Sequence, residues 1–341
     1  MIRINLTNDI INGYYNTVQE KSTYLGFRIT KERLVIFSEY NELLFLSFCS
    51  VPGADAMNLR LPVEAMNIVM MEGLLTIEES VDGDKVVLIN YDNNNKKRCQ
   101  VEIASEFADD SEAIIMLLDA ITSNELTVID KPGIFYSALK MANIKDKDVN
   151  IKGVSFNSGK IFTIGNGFAA YRADKYNLSL VLSTSSLREI VKFCRNKGTV
   201  RLYRQKGYNL IYDGVNIIAW RRVRNEKYYP ITEIKYELSV NIDVSHIIRA
   251  LSCIKTEVSK CCLNFRSQCL EVYSQVGIYN IPLYIAGCDL PDTEVNYSLF
   301  CNILQNSKGH ILLEVSNNTI HIQIDDIDYY IGVKRGADSV N

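Results

Sequence analysis

Cysteine and histidine are the residues of this chain best suited to bind a metal or act as nucleophiles. The sequence has nine cysteines and three histidines. No Cys-x-x-Cys pair occurs, and the histidines at positions 246, 310 and 321 have no ligand-like spacing. The irregular cysteine spacings predict buried, reduced thiols on core faces and no zinc or iron–sulfur centre.

A glycine pattern at residues 165–170 mimics a dinucleotide-binding fingerprint. Gly165-x-Gly167-x-x-Ala170 follows a predicted strand. The fingerprint needs a helix to begin at its glycines, because the amide groups of that helix bind the pyrophosphate. Tyr171-Arg172-Ala173 continues as a strand instead. We therefore predict no nucleotide cofactor at this motif.

Two short motifs with acidic or nucleophilic residues remain. Asp325-Asp326-x-Asp328 is one acidic run between predicted strands, which is typical of a solvated turn. Ser245-His246 is explained by a helix cap and a surface histidine, and no acid completes a triad in a recognisable order. The sequence predicts no catalytic residue, no metal and no cofactor, so we expect the chain not to be an enzyme.

Basic residues form the strongest binding pattern, on a predicted helix over residues 184–197. Arg188, Lys192 and Arg195 recur at helical spacing. The apolar stripe of this helix consists of Leu187, Ile190, Val191 and Cys194. Packing the stripe against a sheet turns the cations away from the core, where they can face phosphate. Each cation taken singly is also typical of a solvated surface charge. Further basic residues on or near helices extend the surface: Lys21, Lys140, Lys197, Arg249 and Lys308.

A helix followed by a cluster of strands recurs about six times, which predicts an α+β protein. The predicted helices cover residues 7–21, 62–70, 131–144, 184–197, 244–258 and 298–305. An acidic segment at 108–123 is also predicted to be helical and to join the first two domains. The predicted domains are 1–124, 125–235 and 236–335, followed by a frayed tail at 336–341.

The composition is that of a packed globular protein. Of 341 residues, 47% are hydrophobic and 23% are charged, and this length suits two or three domains. No run of about 18 apolar residues occurs, and the amino terminus lacks the order of a signal peptide. We expect a soluble cytoplasmic protein that does not associate with membranes.

Two motifs carry a resemblance to a known family. Thr163-Ile164-Gly165-Asn166-Gly167-Phe168 is followed by the capped helix and then by Lys227-Tyr228-Tyr229-Pro230. Val295-Asn296-Tyr297-Ser298-Leu299 opens the last predicted helix. In type and spacing these motifs resemble bacterial DNA sliding clamps, the β subunit of DNA polymerase III. The resemblance covers predicted domains two and three, whereas domain one matches in pattern alone.

The resemblance implies a DNA clamp fold of the α+β class. Three similar domains, each of two helix-plus-sheet repeats, would form half of a ring that two chains close head to tail. Helices would line the inside and sheets the outside. The net charge of −3 is compatible with this, because only the inner wall must be positive and screening confines each field to about 10 Å.

The resemblance also implies a hydrophobic pocket for a short extended peptide. Its residues would be Ile151, Gly165, Phe168, Ala170, Pro230, Ile234, Thr319, Tyr330 and Gly332. The alternative is that Ile151, Ile234 and Tyr330 are ordinary core or interdomain residues.

The pocket motifs depart from the family pattern. Ile164, Asn166 and Gly167 stand where clamps usually have Asp, His and Arg. The carboxy-terminal Met-Pro-Met/Val-Arg-Leu of clamps is replaced by Ile331-Gly332-Val333-Lys334-Arg335. We therefore expect partner specificity to differ more than the fold does, as in a divergent clamp encoded by a phage or plasmid.

The implied function is that of a processivity factor. A homodimeric ring would encircle double-stranded DNA without reading its sequence, and would tether a replicative DNA polymerase and the clamp loader through a short peptide motif. The alternative is a clamp-like interaction module that binds replication or transcription proteins without encircling DNA. The altered pocket favours this alternative, as does residue range 63–73, which contains Glu64 and Glu72 but no basic residue.

Overall fold

The computed structural model describes most of the chain. The described residues are 1–18, 22, 24–30, 32–53, 55–79, 85–104, 126–144, 149–157, 159–205, 207–222 and 234–335. The predicted helix at 108–123, the first domain boundary at 124 and the tail at 336–341 lie outside them. The division into three domains stays a prediction.

Six helices and twenty-five strands make up the described fold. The helices are α1 (Asn8–Thr17), α2 (Val63–Val69), α3 (Gly133–Ala142), α4 (Thr184–Cys194), α5 (Ser245–Cys253) and α6 (Tyr297–Leu304). The first strands are β1 (Ile2–Leu6), β2 (Tyr24–Thr30), β3 (Arg33–Tyr40), β4 (Leu43–Ser50), β5 (Met57–Pro62), β6 (Gly73–Glu79), β7 (Lys85–Tyr91), β8 (Lys97–Ala104) and β9 (Leu126–Ile129). The middle strands are β10 (Gly153–Asn157), β11 (Lys160–Gly165), β12 (Phe168–Ala173), β13 (Leu180–Ser183), β14 (Val200–Gln205), β15 (Tyr208–Tyr212) and β16 (Asn216–Arg221). The last strands are β17 (Leu238–Asp243), β18 (Val258–Asn264), β19 (Cys269–Ser274), β20 (Gly277–Pro282), β21 (Thr293–Glu294), β22 (His310–Val315), β23 (Thr319–Ile324), β24 (Ile327–Gly332) and β25 (Lys334–Arg335).

The chain divides into two compact units. Unit 1 comprises Met1–Pro132 and Glu189–Arg222, and unit 2 comprises Gly133–Arg188 and Val223–Asn341, so the division falls inside α4. Each unit contains one eight-stranded antiparallel sheet and one smaller sheet.

In unit 1 the larger sheet has the strand order β5-β2-β3-β4-β16-β15-β14-β9, and the smaller one has the order β1-β6-β7-β8. Strands β4 and β16 pair antiparallel, with Leu46 opposite Ile217. This pairing makes one continuous sheet from strands that the sequence assigns to two predicted domains.

The core of unit 1 collects apolar side chains from both sheets and from α1 and α2. Ile10 and Tyr14 of α1 and Met66 of α2 are buried with sheet residues such as Phe27 and Leu88. Their spacing places them on one face of each helix, as the apolar pattern predicts. The hydroxyl of Tyr14 donates a hydrogen bond to Asn67 Oδ1 and so links α1 to α2.

In unit 2 the larger sheet has the order β13-β10-β11-β12-β24-β23-β22-β17, and the smaller one has the order β20-β19-β18-β21-β25. Helix α3 packs on β10 and β11, and α6 packs on β18. The predicted cap of α4 is confirmed at Ser183, whose Oγ accepts a hydrogen bond from the Ser186 amide at 3.1 Å.

The six described helices occur where they are predicted, but two of them end at least four residues before the predicted position. Helix α1 ends at Thr17 rather than at residue 21, and Val18 is already extended. Helix α5 ends at Cys253 rather than at 258, because Ile254 is extended and Val258 begins β18. Both exits occur at β-branched residues, which prefer strand conformations. No described helix is long and apolar enough to cross a membrane.

Candidate DNA-facing helices and peptide pocket

Helix α4 has the two-sided character that its sequence predicts. Leu187, Ile190 and Cys194 are buried, whereas Arg188 and Lys192 are exposed, as is Arg195 just beyond the helix end. The exposed row is therefore a basic surface available to solvent.

Several of the predicted DNA-facing cations have partners within the chain. The Arg188 guanidinium donates to Asn143 Oδ1 at 3.2 Å, and Lys192 Nζ lies 3.0 Å from Glu189 Oε1. Lys140 Nζ lies 5.3 Å from the centre of the Tyr136 ring. These contacts reduce the field that each cation presents to a phosphate.

Lys197 pairs with a buried carboxylate that also accepts hydrogen bonds from the β15–β16 turn. Its Nζ donates to Asp213 Oδ2, and the Asp213 side chain is only 3% exposed. Burial alone would raise the pKa of the Asp213 carboxyl, but hydrogen bonds from Lys197 and from the Asn216 and Val215 amides outweigh it and lower the pKa. Lys197 therefore has a structural role in the β15–β16 turn.

The remaining predicted cations are Arg195, Arg249 and Lys308, and all three are exposed. Within the described ranges, no side-chain hydrogen bond or ion pair involves these three residues. Their assignment as phosphate contacts stays a prediction. Lys21 lies outside the described residues. Helices α1 and α2 contain Asp9 and Glu64 but no lysine or arginine.

The predicted pocket residues do not share one face of the unit 2 sheet. Phe168 lies opposite Ile331 and Ala170 opposite Tyr329, whereas Tyr330 lies opposite Ala169. Because neighbouring residues of a strand point to opposite faces, Phe168 and Ala170 lie on one face and Tyr330 on the other. Phe168 and Ala170 are buried in the core at 3% and 0% exposure, so neither offers a surface to a peptide.

The other predicted pocket residues are partly or fully accessible. Ile151, Ile234, Thr319 and Tyr330 are half-buried, and Gly332 is exposed. Thr319 pairs with Gly332, and the Gly332 amide donates to the Gly167 carbonyl at 2.8 Å. These contacts bring the β11–β12 turn, Thr319 and the end of β24 together. Pro230 lies outside the described residues.

Gly165 is required by close packing rather than by a ligand. A Cβ atom at this position would lie 2.2 Å from the Val149 carbonyl oxygen. We expect Gly165→Ala to lower the free energy of unfolding by about 1–3 kcal/mol, because the backbone must shift to admit the methyl group. Denaturant unfolding measures the change.

Gly198→Ala is the matched control for Gly165→Ala, because a Cβ there would meet no atom within 4 Å. Equal unfolding free energies for the two variants would show that contact with Val149 does not limit the residue at position 165.

The glycine pattern at 165–170 forms a β-hairpin rather than the start of a helix. Gly165 lies opposite Phe168, so Asn166 and Gly167 form a two-residue turn between β11 and β12. Gly167 has a φ of 64°, which glycine adopts without strain. Asp326, in the acidic turn between β23 and β24, pairs with Arg172 at 2.5 Å.

Sequence reasoning missed a polar and aromatic surface on the sheet face that carries Tyr330. We call it the tyrosine face and define it by Tyr171, Tyr330 and His321, with Glu314 and Asp328 beside them. Glu314 lies opposite His321, and His321 lies opposite Tyr330. The signal was available, because Glu314, His321 and Asp328 are seven residues apart in three strands joined by short turns.

Solved structures that match nearly the whole chain are bacterial DNA sliding clamps. A DNA polymerase sliding clamp from Pseudomonas aeruginosa matches with a TM-score of 0.68 and 11% identity over 98% of this chain and 100% of that chain. The DNA polymerase III β chain of Streptococcus pneumoniae matches with a TM-score of 0.70 and 14% identity over 98% and 100%. A Helicobacter pylori β clamp bound to a DNA ligase peptide matches with a TM-score of 0.64 and 12% identity over 98% and 99%.

The chain therefore has the sliding-clamp fold. In particular, it has the fold of the β subunit of bacterial DNA polymerase III, as the sequence motifs predict. No protein-family model and no curated protein sequence matches the chain.

Proposed function

We propose that the protein is a non-enzymatic DNA sliding clamp. Two copies form a closed ring around double-stranded DNA, and the ring tethers a replicative DNA polymerase and other DNA-acting proteins. The observation that carries the proposal is the likeness to sliding clamps, which covers 98% of this chain and all of the S. pneumoniae β chain.

Two of the open sheet edges, one in each unit, support ring closure. Among the described strands, β8 pairs only with β7, and β20 pairs only with β19. An unpaired edge strand is a template for a strand from another chain. The loop and edge at β20 also expose apolar side chains, with Val276 67% and Ile278 57% exposed. Pairing of β8 with β20 of a second copy is a head-to-tail contact that can close after two chains.

Binding to duplex DNA rests on the exposed cations. A clamp is held on DNA by topology, so three phosphate contacts per chain are sufficient for weak, sliding contact that does not depend on sequence. The main test is retention on nicked circular DNA. A clamp remains on the circle during gel filtration and leaves once the circle is linearised.

The phosphate contacts are tested by changing Arg195, Arg249 and Lys308 to glutamine together. Each lost contact is expected to reduce the slope of log affinity against log salt by about 0.9. Binding to a short duplex, measured by fluorescence anisotropy over a salt series, gives the slope.

The control changes Lys96, Lys152 and Arg266 to glutamine. This triple variant has the same net charge, and its three positions are also exposed. The phosphate assignment is wrong if the control lowers the salt slope as much as the first triple variant does.

Partner binding through a short peptide is proposed for the surface around Ile151, Thr319, Tyr330 and Gly332. The H. pylori β clamp, which shares the fold, was solved with a DNA ligase peptide. Phe168 and Ala170 are buried, so a peptide would contact the partly accessible residues of the pocket instead.

A second candidate is a clamp-like module that binds such partners without encircling DNA. The lack of basic residues in α1 and α2 favours it. Failure to remain on nicked circles, together with retained binding to a polymerase, would support this module over the clamp.

A further inference from the structure

His321 lies at the centre of a polar network that the proposed clamp function does not use. Its Nδ1 lies 2.7 Å from Glu314 Oε2, and its Nε2 lies 3.0 Å from Asp328 Oδ1. The residue is 6% exposed. Since both ring nitrogens face carboxylate oxygens, the geometry fits an imidazolium, which donates from both nitrogens.

Two tyrosine rings lie beside the imidazole. The Tyr330 ring stacks on it at a centroid distance of 4.7 Å and an angle of 18°. The Tyr236 ring lies 5.8 Å away at 25°. A cation stacked on an aromatic face gains a further electrostatic attraction, so the charged form of His321 holds Tyr330 more firmly than the neutral form does.

The groups around His321 come from every strand packed against it. Strand β22 contributes Glu314, whose other oxygen accepts from Ser239 Oγ of β17 at 3.0 Å. Strand β24 contributes Asp328 and Tyr330, and Tyr236 precedes β17. Gln323 of β23 donates to Asp328 Oδ1 at 3.1 Å. Among the described residues, the network thus has two carboxylates and one imidazole, with no other cation.

These groups also determine whether the pKa of His321 is raised or lowered. Burial lowers the pKa of the His321 imidazole, but its hydrogen bonds to Asp328 and Glu314 outweigh burial and leave the pKa raised above its usual 6.5. A raised pKa in the folded state means that the contribution to stability is fully present below about 6.5 and is lost as the pH rises through the folded-state pKa.

Tyr330 connects this network to the proposed peptide surface. Its ring meets Tyr171 of β12 edge-on at 5.7 Å, and its strand pairs with β12 and β23. Gly332, two residues further on, is bonded to Gly167. We expect a change in the orientation of Tyr330 to loosen the pairing of β12 with β24 and to alter the surface beside it.

We propose that protonated His321 is a positioning residue that fixes Tyr330 on the tyrosine face, so that a peptide contacting Tyr330 binds more tightly when His321 is charged. The effect on peptide binding rests on the proposed function. The ordering of Tyr330 and of the β12–β24 pairing does not depend on it.

The first experiment needs no partner and uses the full chain. Hydrogen exchange of the Gly332 amide is followed by NMR or mass spectrometry across the pH range in which the His321 ring titrates. We expect protection, corrected for the intrinsic exchange rate, to fall about tenfold as His321 loses its proton. In His321→Gln the protection is low at every pH, whereas His310→Gln, at an exposed position on β22, behaves as the wild type does.

Glu314→Gln keeps the tyrosine stack and removes one carboxylate. The NMR titration of His321 in this variant should have a lower pKa than in the wild type, which tests the network even if His321→Gln folds poorly. Protection of Gly332 that does not change with pH in the wild type, or that is unchanged in His321→Gln, overturns the proposal.

The second experiment measures binding of a fluorescent peptide, Leu-Ser-Leu-Ser-Phe, which has apolar anchors at alternate positions. An all-serine peptide is the control. The expected result is an affinity that falls about tenfold as His321 deprotonates and a flat pH profile in His321→Gln. Wild-type binding with a flat profile overturns the positioning role in recognition. No binding at any pH, with pH-dependent protection of Gly332, overturns the peptide surface and leaves the ordering of Tyr330 supported.

Discussion

Replacing Val276 and Ile278 together with glutamate is expected to convert a dimer into a monomer. Both side chains are more than half exposed, in and just before the edge strand β20 of the smaller sheet of unit 2, so we expect the folded chain to tolerate the change. In a ring they would be buried against a second copy, where two unpaired carboxylates cost several kcal/mol. A loss of about 3 kcal/mol raises the dissociation constant by more than 100-fold.

Light scattering over a dilution series measures this effect. The wild type should have the mass of two 38.7 kDa chains, about 77 kDa, and the double variant the mass of one. Val215→Glu is the control, because Val215 is 52% exposed but lies in the β15–β16 turn, away from an open edge. The double variant should also fail to remain on nicked circular DNA.

A different result would separate two explanations. If the wild type is monomeric at every concentration, the protein does not form a stable ring, and the interaction module is favoured. If the double variant stays dimeric, the dimer interface does not include β20, because two buried charges at a sheet edge are not tolerated without partners.

The order of helices and strands could be predicted from the sequence because each element has a strong local signal. The stripe on α4 and the turn at Gly165-Asn166-Gly167 depend on residues within a few positions of each other. The end of α5 could not be predicted equally well, since the sequence SCIKTEVSK allows both a further helical turn and the strand that forms.

The site was less accessible to prediction because its contacts are distant in sequence. Lys197 is a residue type that often contacts DNA. Its pairing with Asp213 becomes visible only in the folded structure, where the β15–β16 turn brings the two residues together. Phe168 and Ala170 match the pocket motif in sequence, but the register of β12 against β24 places them in the core. A motif fixes residue types, whereas register decides which face of the sheet they occupy.

Asp213→Ala is expected to cause the largest loss of stability among the charged residues of the candidate site. Asp213 Oδ1 accepts hydrogen bonds from the Val215 amide at 2.9 Å and the Asn216 amide at 2.7 Å, and Oδ2 pairs with Lys197. Removal of the carboxylate leaves two amides and an ammonium group without their acceptor. We expect the free energy of unfolding to fall by about 2–4 kcal/mol, measured by denaturant unfolding at neutral pH.

Asp213→Asn removes the negative charge and keeps the shape of the side chain. The amide oxygen can still accept from the turn, so the loss should be smaller than for alanine. The pKa of Asp213 is lowered in the folded state, so its contribution is present above the usual carboxyl pKa and is lost as the pH falls through the folded-state value. The difference between the wild type and Asp213→Asn should therefore shrink in acid; a difference that is constant with pH would contradict the role of the charge.

A comparison of Lys197 with Arg195 tests which cations belong to the DNA surface. If Lys197 is structural, Lys197→Gln lowers the free energy of unfolding and leaves the salt slope of DNA binding nearly unchanged. Arg195→Gln, two residues earlier in the chain, should do the reverse, because its exposed side chain has no acceptor within the described residues. A salt slope that falls equally in both variants would return Lys197 to the phosphate surface, since the number of ions released on binding follows the number of phosphate contacts.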